Sequence, residues 1–159
     1  MKINSNYAEK FAKKIFKTKL HGLERDFIII HSKGVFDTSL KLAKNKMIDK
    51  EALKIAAWLH DIGRTVDIAK HAEISLEISE KKFGKLNDKI RDCILNHGSS
   101  KKPKTSEGKI FQLADKLSIV NDYKLFELLF SNPKYKKKST LFIEMVSKDL
   151  SKVLRRYKW

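Results

Sequence analysis

The chain has 159 residues, 42% hydrophobic and 34% charged, with a formal net charge of +16. That composition excludes a disordered chain and favours one folded domain over 1–159. A single cysteine, Cys93, excludes an internal disulfide framework, and no apolar run exceeds Phe27-Ile28-Ile29-Ile30, too short to cross a bilayer.

Apolar residues recur at helical spacing almost throughout. Ala8, Phe11, Ala12, Ile15 and Phe16 mark a first helix that ends near His21-Gly22. A second is expected from about Leu23 to Lys46, with a kink at Gly34. Asp49 is a plausible N-cap for a third, Lys50 to Ile62, stopped by Gly63. A fourth covers about 70–83 and ends at Gly84; a fifth covers 87–97 and ends at Gly98. The loop "GSSKKPKTSEG" follows. A sixth helix covers about 107–121, and a seventh runs from Asp122 to Phe130. Asn132-Pro133 is a break, followed by the basic "KYKKK". The last helix, about 140–156, is expected to turn Leu141, Phe142, Met145, Val146, Leu150, Val153 and Leu154 inward. No strand-like alternation persists and no internal repeat is found. The fold expected is all-α, a single-domain bundle of about seven or eight helices, with 131–159 as a basic C-terminal segment packed on the rest.

The charge is uneven. Residues 1–20 and 131–159 together carry +12 of the +16, and the middle is close to balanced. Basic ends fit an anionic polymer or lipid surface. Only five of the 35 basic residues are arginine, however, and arginine is favoured where phosphates or bases are read geometrically. No apolar signal region follows the N-terminal lysines, so the expected location is the cytoplasm. The apolar faces of the first and last helices are expected to dock on the bundle; for the last helix a second subunit, giving a homodimer, is the other candidate surface.

Six polar residues share apolar stripes. His31 follows Phe27 and Ile28; His60 and Asp61 follow Ala56, Ala57 and Trp58. His71 precedes Ile74 and Ile78. His97 follows Ile90, Cys93 and Ile94. Asp115 lies between Phe111 and Ile119. Burying an unpaired carboxylate costs several kcal/mol, so such groups need partners or a metal. Four neutral imidazoles and two carboxylates satisfy one another by caging divalent cations. His21, at a helix boundary, reads as a turn or cap residue. Zincin, P-loop, nucleophile-elbow and Rossmann signatures are absent.

The order His31, His60-Asp61, His71, His97, Asp115, with the text "LHDIG", "NHG" and "LADKLS", resembles the HD superfamily of metal-dependent phosphohydrolases over about residues 25–122. The resemblance implies an all-α core with converging ligands. His31, His60, Asp61 and Asp115 would hold one metal; Asp61 would bridge to a second, completed by His71 and His97. That is the two-metal branch. Mn²⁺ or Fe²⁺ is expected, with Co²⁺, Ni²⁺, Zn²⁺ or Mg²⁺ as alternatives. The implied reaction is attack of a metal-activated hydroxide on a nucleotide or another small phosphate ester or anhydride. The family's Gly-Tyr-Pro signature is missing after His97, which argues against the cyclic-dinucleotide phosphodiesterases. Of the extra acids typical of its deoxynucleotidases, only Asp67 is a candidate.

Asp61 carries the catalytic expectation with Arg64 and Lys116; Arg64, Lys101, Lys102 and Lys104 are candidate phosphate-binding cations. Two other readings stand beside this one. The chain could be an RNA-directed phosphodiesterase or nuclease that uses its basic ends, or a binding module whose metals serve only folding.

Overall fold

A computed structural model describes residues 3–131, 133 and 136–157. Among them are eight α-helices: α1 (Ser5–Lys19), α2 (Gly22–Leu42), α3 (Lys50–Leu59), α4 (His71–Phe83), α5 (Asp88–Asn96), α6 (Ser106–Asn121), α7 (Tyr123–Phe130) and α8 (Lys136–Tyr157). A 3-10 turn, Ile62–Thr65, links α3 to α4. The expected all-α bundle is observed.

Helix starts follow local chemistry. The side chains of Asn4, Asp49, Asn87 and Thr105 accept from backbone N–H groups three residues on, and Asp122 caps α7 in the same way. Each such cap contributes about 1 kcal/mol. Gly22 (φ +52°) and Gly84 (φ +79°) occupy the left-handed region at helix boundaries, where a side chain would be strained.

Helix α3 is the centre. It packs on α1, α2, α5 and α6. Ala52, Leu53, Ile55, Ala56, Ala57, Trp58 and Leu59 are all buried, and its polar residues, Lys50, Glu51 and Lys54, are confined to the first half. The second half is surrounded and carries no polar face. Each fully buried Leu, Ile or Trp contributes on the order of 2 kcal/mol of transfer free energy. α4 also touches α3, while α7 rests on α2 and α6, and α6 carries α8.

Several expectations are corrected. α2 stops at Leu42, not Lys46, and a turn with Ala43 as its cap leads out. It is one helix through Gly34. That glycine serves instead as a contact point, because a Cβ there would sit 3.3 Å from Ser118 Cβ and from Asp122 Oδ2. The α-helical part of α3 stops at Leu59. α8 begins at Lys136, four residues early, so the basic run partly belongs to it; the break at Asn132-Pro133 lies partly outside the described residues. Of the seven α8 residues expected inward, Val146 and Val153 are buried and Phe142 and Leu150 are half-buried. Leu141, Met145 and Leu154 are exposed. α8 lies at the rim, covered mainly by α6, with α7 and Phe27 of α2 beside it, so its buried stripe is narrow. No described helix is long and apolar enough to cross a membrane.

Candidate metal centre

The question set by the sequence is where the six inward polar residues go. His31 sits on α2 facing the core, 3% exposed. His60 and Asp61 follow the last residue of α3, at 0% and 4% exposure. Asp61 leaves helical geometry (φ −112°, ψ 6°), which turns its carboxylate across the helix end. His71 opens α4. His97 caps α5, and Asp115 lies mid-α6.

Gly63 brings α4 to this point. A Cβ there would run into the His71 carbonyl oxygen and lie 2.7 Å from Ser75 N. The Gly63 N–H donates to Ser75 Oγ at 2.8 Å. Gly63 was expected as a helix stop; its φ is not in the left-handed region, and close backbone approach is its physical reason. That approach sets His71 against Asp61.

The six side chains form two triads. His31, His60 and Asp115 make one; Asp61, His71 and His97 make the other, with the donor atoms of each triad within 4.8 Å of one another. Asp61 serves both. Its Oδ2 lies 3.5 Å from His60 Nε2 and 3.8 Å from His31 Nε2. Its Oδ1 lies 3.4 Å from His71 Nε2 and 3.8 Å from His97 Nε2. Asp115 Oδ1 is 3.0 Å from His31 Nε2 and 3.5 Å from His60 Nε2.

Three imidazoles are oriented by backbone. The Nδ1 atoms of His60, His71 and His97 lie 3.0, 2.7 and 2.7 Å from the carbonyl oxygens of Ala57, Ile68 and Ile94. A proton on each Nδ1 then leaves Nε2 as a lone-pair donor facing inward. His31 Nδ1 faces Ser118 Oγ at 3.3 Å. His71 Nε2 and His97 Nε2 are 2.9 Å apart, and His31 Nε2 and His60 Nε2 are 3.4 Å apart. Converging lone pairs repel unless something positive lies among them.

The electrostatics agree. Burial opposes the Asp61 carboxylate, yet His60, Arg64 and His31 hold it far below the usual range. Asp115 is likewise held down against burial, chiefly by Lys116 and His31. Burial opposes a charged His60, but the two carboxylates raise its pKa. Burial drops His97 to about 3, so its imidazole is neutral at pH 7. This donor set fits divalent cations: mixed nitrogen and oxygen atoms, ready-made lone pairs, and two carboxylates that call for positive charge.

Around the triads is a cavity of about 130 Å³. Arg64 and Lys116 line it. Arg64 Nε is 3.9 Å from Asp61 Oδ2. Lys116 is nearly buried, with Nζ 2.6 Å from Asp115 Oδ2. Burial opposes its charge, and Asp115 more than restores it. The loop lysines do not reach the cavity. Lys101 Nζ faces Glu73 at 3.8 Å, and Lys102 and Lys104 are exposed. The intervening segment folds back on Asp92, which directs these side chains to solvent. Asp67 is exposed and caps its own turn, accepting from the N–H groups of Ala69 and Lys70. His21 is the N-cap residue of α2 and makes no side-chain capping bond.

Four residues matter that the stripe pattern did not reveal. Asp92 is 7% exposed and accepts from Asn96 Nδ2, Thr105 Oγ1 and the N–H groups of Lys104 and Thr105. Buried Gln112 donates to the carbonyls of Asn96, Gly98 and Lys101. It accepts from Tyr157 and Arg156 of α8. Ser118 lies behind His31. Asp149 of α8 lines the cavity and accepts from Ser99 Oγ at 2.7 Å. Only Ser118 carried a local signal, three residues after Asp115; the others find their partners through tertiary contacts.

Comparison with known proteins places this geometry. Ribonuclease Y from two strains of Ureaplasma parvum serovar 3 is 37% identical over 94 residues, 57% of this chain. The chain spans about a fifth of the length of these curated relatives, 20%. A crystal structure from an uncultured Thermotogales bacterium, described as a predicted HD superfamily hydrolase, superposes with a TM-score of 0.58. It covers 93% of this chain and 92% of its own at 21% identity, which establishes a shared fold. Residues 28–119 match the HD domain family, from just before His31 to just after Asp115. The chain therefore belongs to the HD domain superfamily of metal-dependent phosphohydrolases.

Proposed function

We propose that the chain hydrolyses a phosphate ester or anhydride of a nucleotide or similarly small molecule. The observation that carries this reading is Asp61, which offers one oxygen to each of two histidine-containing triads. His31, His60, Asp61 and Asp115 would hold one divalent cation, and Asp61, His71 and His97 a second. When bound, such ions polarise a phosphoryl oxygen and make a water molecule more acidic. Imidazole nitrogen and carboxylate oxygen together suit Fe²⁺ and Mn²⁺, with Co²⁺, Ni²⁺ and Zn²⁺ as alternatives that supply and geometry decide among.

The chain's own side chains do the rest. Buried walls exclude bulk water and strengthen each charge interaction. Arg64 presents a planar fork to two phosphoryl oxygens. Lys116, pinned by Asp115, sets a fixed positive charge against the charge that develops in the transition state. Water's oxygen bonds to phosphorus as the ester oxygen departs in line, and the departing oxygen ends with a proton.

A panel of mononucleotides, dinucleoside polyphosphates, cyclic nucleotides and short RNA, each with Mn²⁺, Fe²⁺ and Co²⁺, tests this reading. Arg64→Ala should lower kcat/KM about 10- to 100-fold with metal content unchanged, as loss of a charge-assisted contact of roughly 1.5–3 kcal/mol requires. An unaltered kcat/KM would remove Arg64 from the phosphate site.

The likeness to ribonuclease Y favours a second reading, a phosphodiesterase acting on RNA with the basic ends as its track. Counterion release separates the two. RNA affinity should fall steeply between 50 and 200 mM salt, whereas a mononucleotide's should change little. Turnover of no phosphate ester, with metal-dependent stability intact, would instead mark a binding module.

A further inference from the structure

Helix α8 lies outside residues 28–119, the span that matches the family, and it forms one wall of the cavity over the triads. Phe142, Met145, Val146 and Asp149 all line that wall. Their spacing, i, i+3, i+4 and i+7, puts them on one helix face. Arg64 and Lys116 line the same cavity. The lining thus combines two cations with an apolar helix face that carries one carboxylate.

The apolar side is only partly used by the core. Val146 is buried, but Met145 is 53% exposed and Phe142 is half-buried. Phe142 meets Phe27 edge to face at 5.6 Å, and Phe27 stacks on His31 at 5.8 Å with an interplanar angle of 19°. A line of ring contacts therefore runs from α8 through Phe27 to His31. Beyond the Phe27–Phe142 pair lies an apolar groove of about 590 Å³ that both residues also line. Asp149 Oδ1 accepts from Ser99, and Oδ2 has no partner among the described residues.

Volume sharpens the argument. About 130 Å³ is well below the roughly 300 Å³ at which sites enclose a drug-sized ligand. A cavity of this volume has room for a phosphoryl group but not for a whole nucleotide, so whatever the group is attached to would leave along the walls. We propose that α8 reads this remainder, and that it is a nucleoside. Its base lies against Phe142 and Met145, and a sugar hydroxyl donates to Asp149. Aromatic faces suit a flat base, and a carboxylate facing an apolar surface suits a hydroxyl donor.

This inference rests on the hydrolase reading, and its test separates the two. The kcat/KM of wild type, Phe142→Ala and Asp149→Asn would be measured with adenosine 5′-monophosphate and with glycerol phosphate, in Mn²⁺. Calorimetric binding of adenosine 5′-monophosphate to the Mn²⁺ form gives a readout independent of turnover. Each variant should lose about tenfold or more on the nucleotide, mainly through KM, with weaker binding to match. Glycerol phosphate should change less than threefold. Equal loss on both substrates, or no loss on either, would overturn the assignment to α8 while leaving the hydrolase intact. Absence of turnover with every substrate, and of nucleotide binding, would overturn both.

Discussion

An Asp61→Ala variant should lose metal-dependent turnover by at least about a thousandfold and should no longer gain thermal stability from Mn²⁺. Asp61 is the one side chain that faces both triads, so its loss deprives each of a carboxylate oxygen. A cation bound only to the native state stabilises it by about 2.7 kcal/mol at one hundred times its Kd. For a domain of this size that is a rise of roughly 5–10 °C in Tm. Wild type should show the rise on adding Mn²⁺, and the variant should not. The metal-free Tm should move less, because two effects oppose each other. Removing a buried carboxylate relieves its desolvation, while His60 loses the charge that raises its pKa. Calorimetry with and without Mn²⁺, alongside the activity panel, reads both effects. A variant that keeps the metal-induced shift would show that Asp61 does not bridge.

An Asp92→Ala variant should be the most destabilised of the single changes considered, by about 3–5 kcal/mol. Its carboxylate gathers two backbone N–H groups, a hydroxyl and an amide, and the alanine leaves all four without their acceptor. Tm should fall by roughly 10 °C. The effect also depends on pH, with a definite sign. Burial opposes the Asp92 carboxylate, but Thr105, Asn96 and Lys104 hold its pKa below the ordinary value. A lowered folded pKa gives stability that is fully present above the unfolded value near 4 and is lost as pH falls through the folded one. The stability gap between wild type and Asp92→Asn should therefore be constant near neutrality and shrink below about pH 4. Urea midpoints from pH 3 to pH 7 measure it; a gap that widens in acid would contradict the assignment. Because the 98–105 loop is what Asp92 holds, the alanine variant should also loosen the segment that follows His97.

The candidate metal centre was legible because it violates a pattern. Histidines and aspartates on otherwise apolar stripes stand out, and spacing alone gathered six residues that the fold brings into two triads. The end of the central helix was read three residues late, at Ile62, because Gly63 looked like its stop. Other features were hidden because their causes are tertiary. Gly63 reads as a stop signal, yet its function is to let the α4 backbone approach, which nothing local to "DIGR" reveals. Asp92 looks like a surface acid on an amphipathic helix until residues 104 and 105 fold back onto it. The lysines of that loop looked like phosphate receptors because sequence records their charge and not their direction. α8 was overestimated for a related reason. Seven apolar positions suggested a buried face, but a helix with cover from one side buries only a narrow stripe, and the cavity takes part of what remains.

Anomalous diffraction from crystals soaked in Mn²⁺ tests the central claim most directly. The account predicts two strong peaks, one among His31, His60, Asp61 and Asp115 and one among Asp61, His71 and His97, with Asp61 touching both. No peak at these residues, at Mn²⁺ concentrations that support hydrolysis, would contradict it.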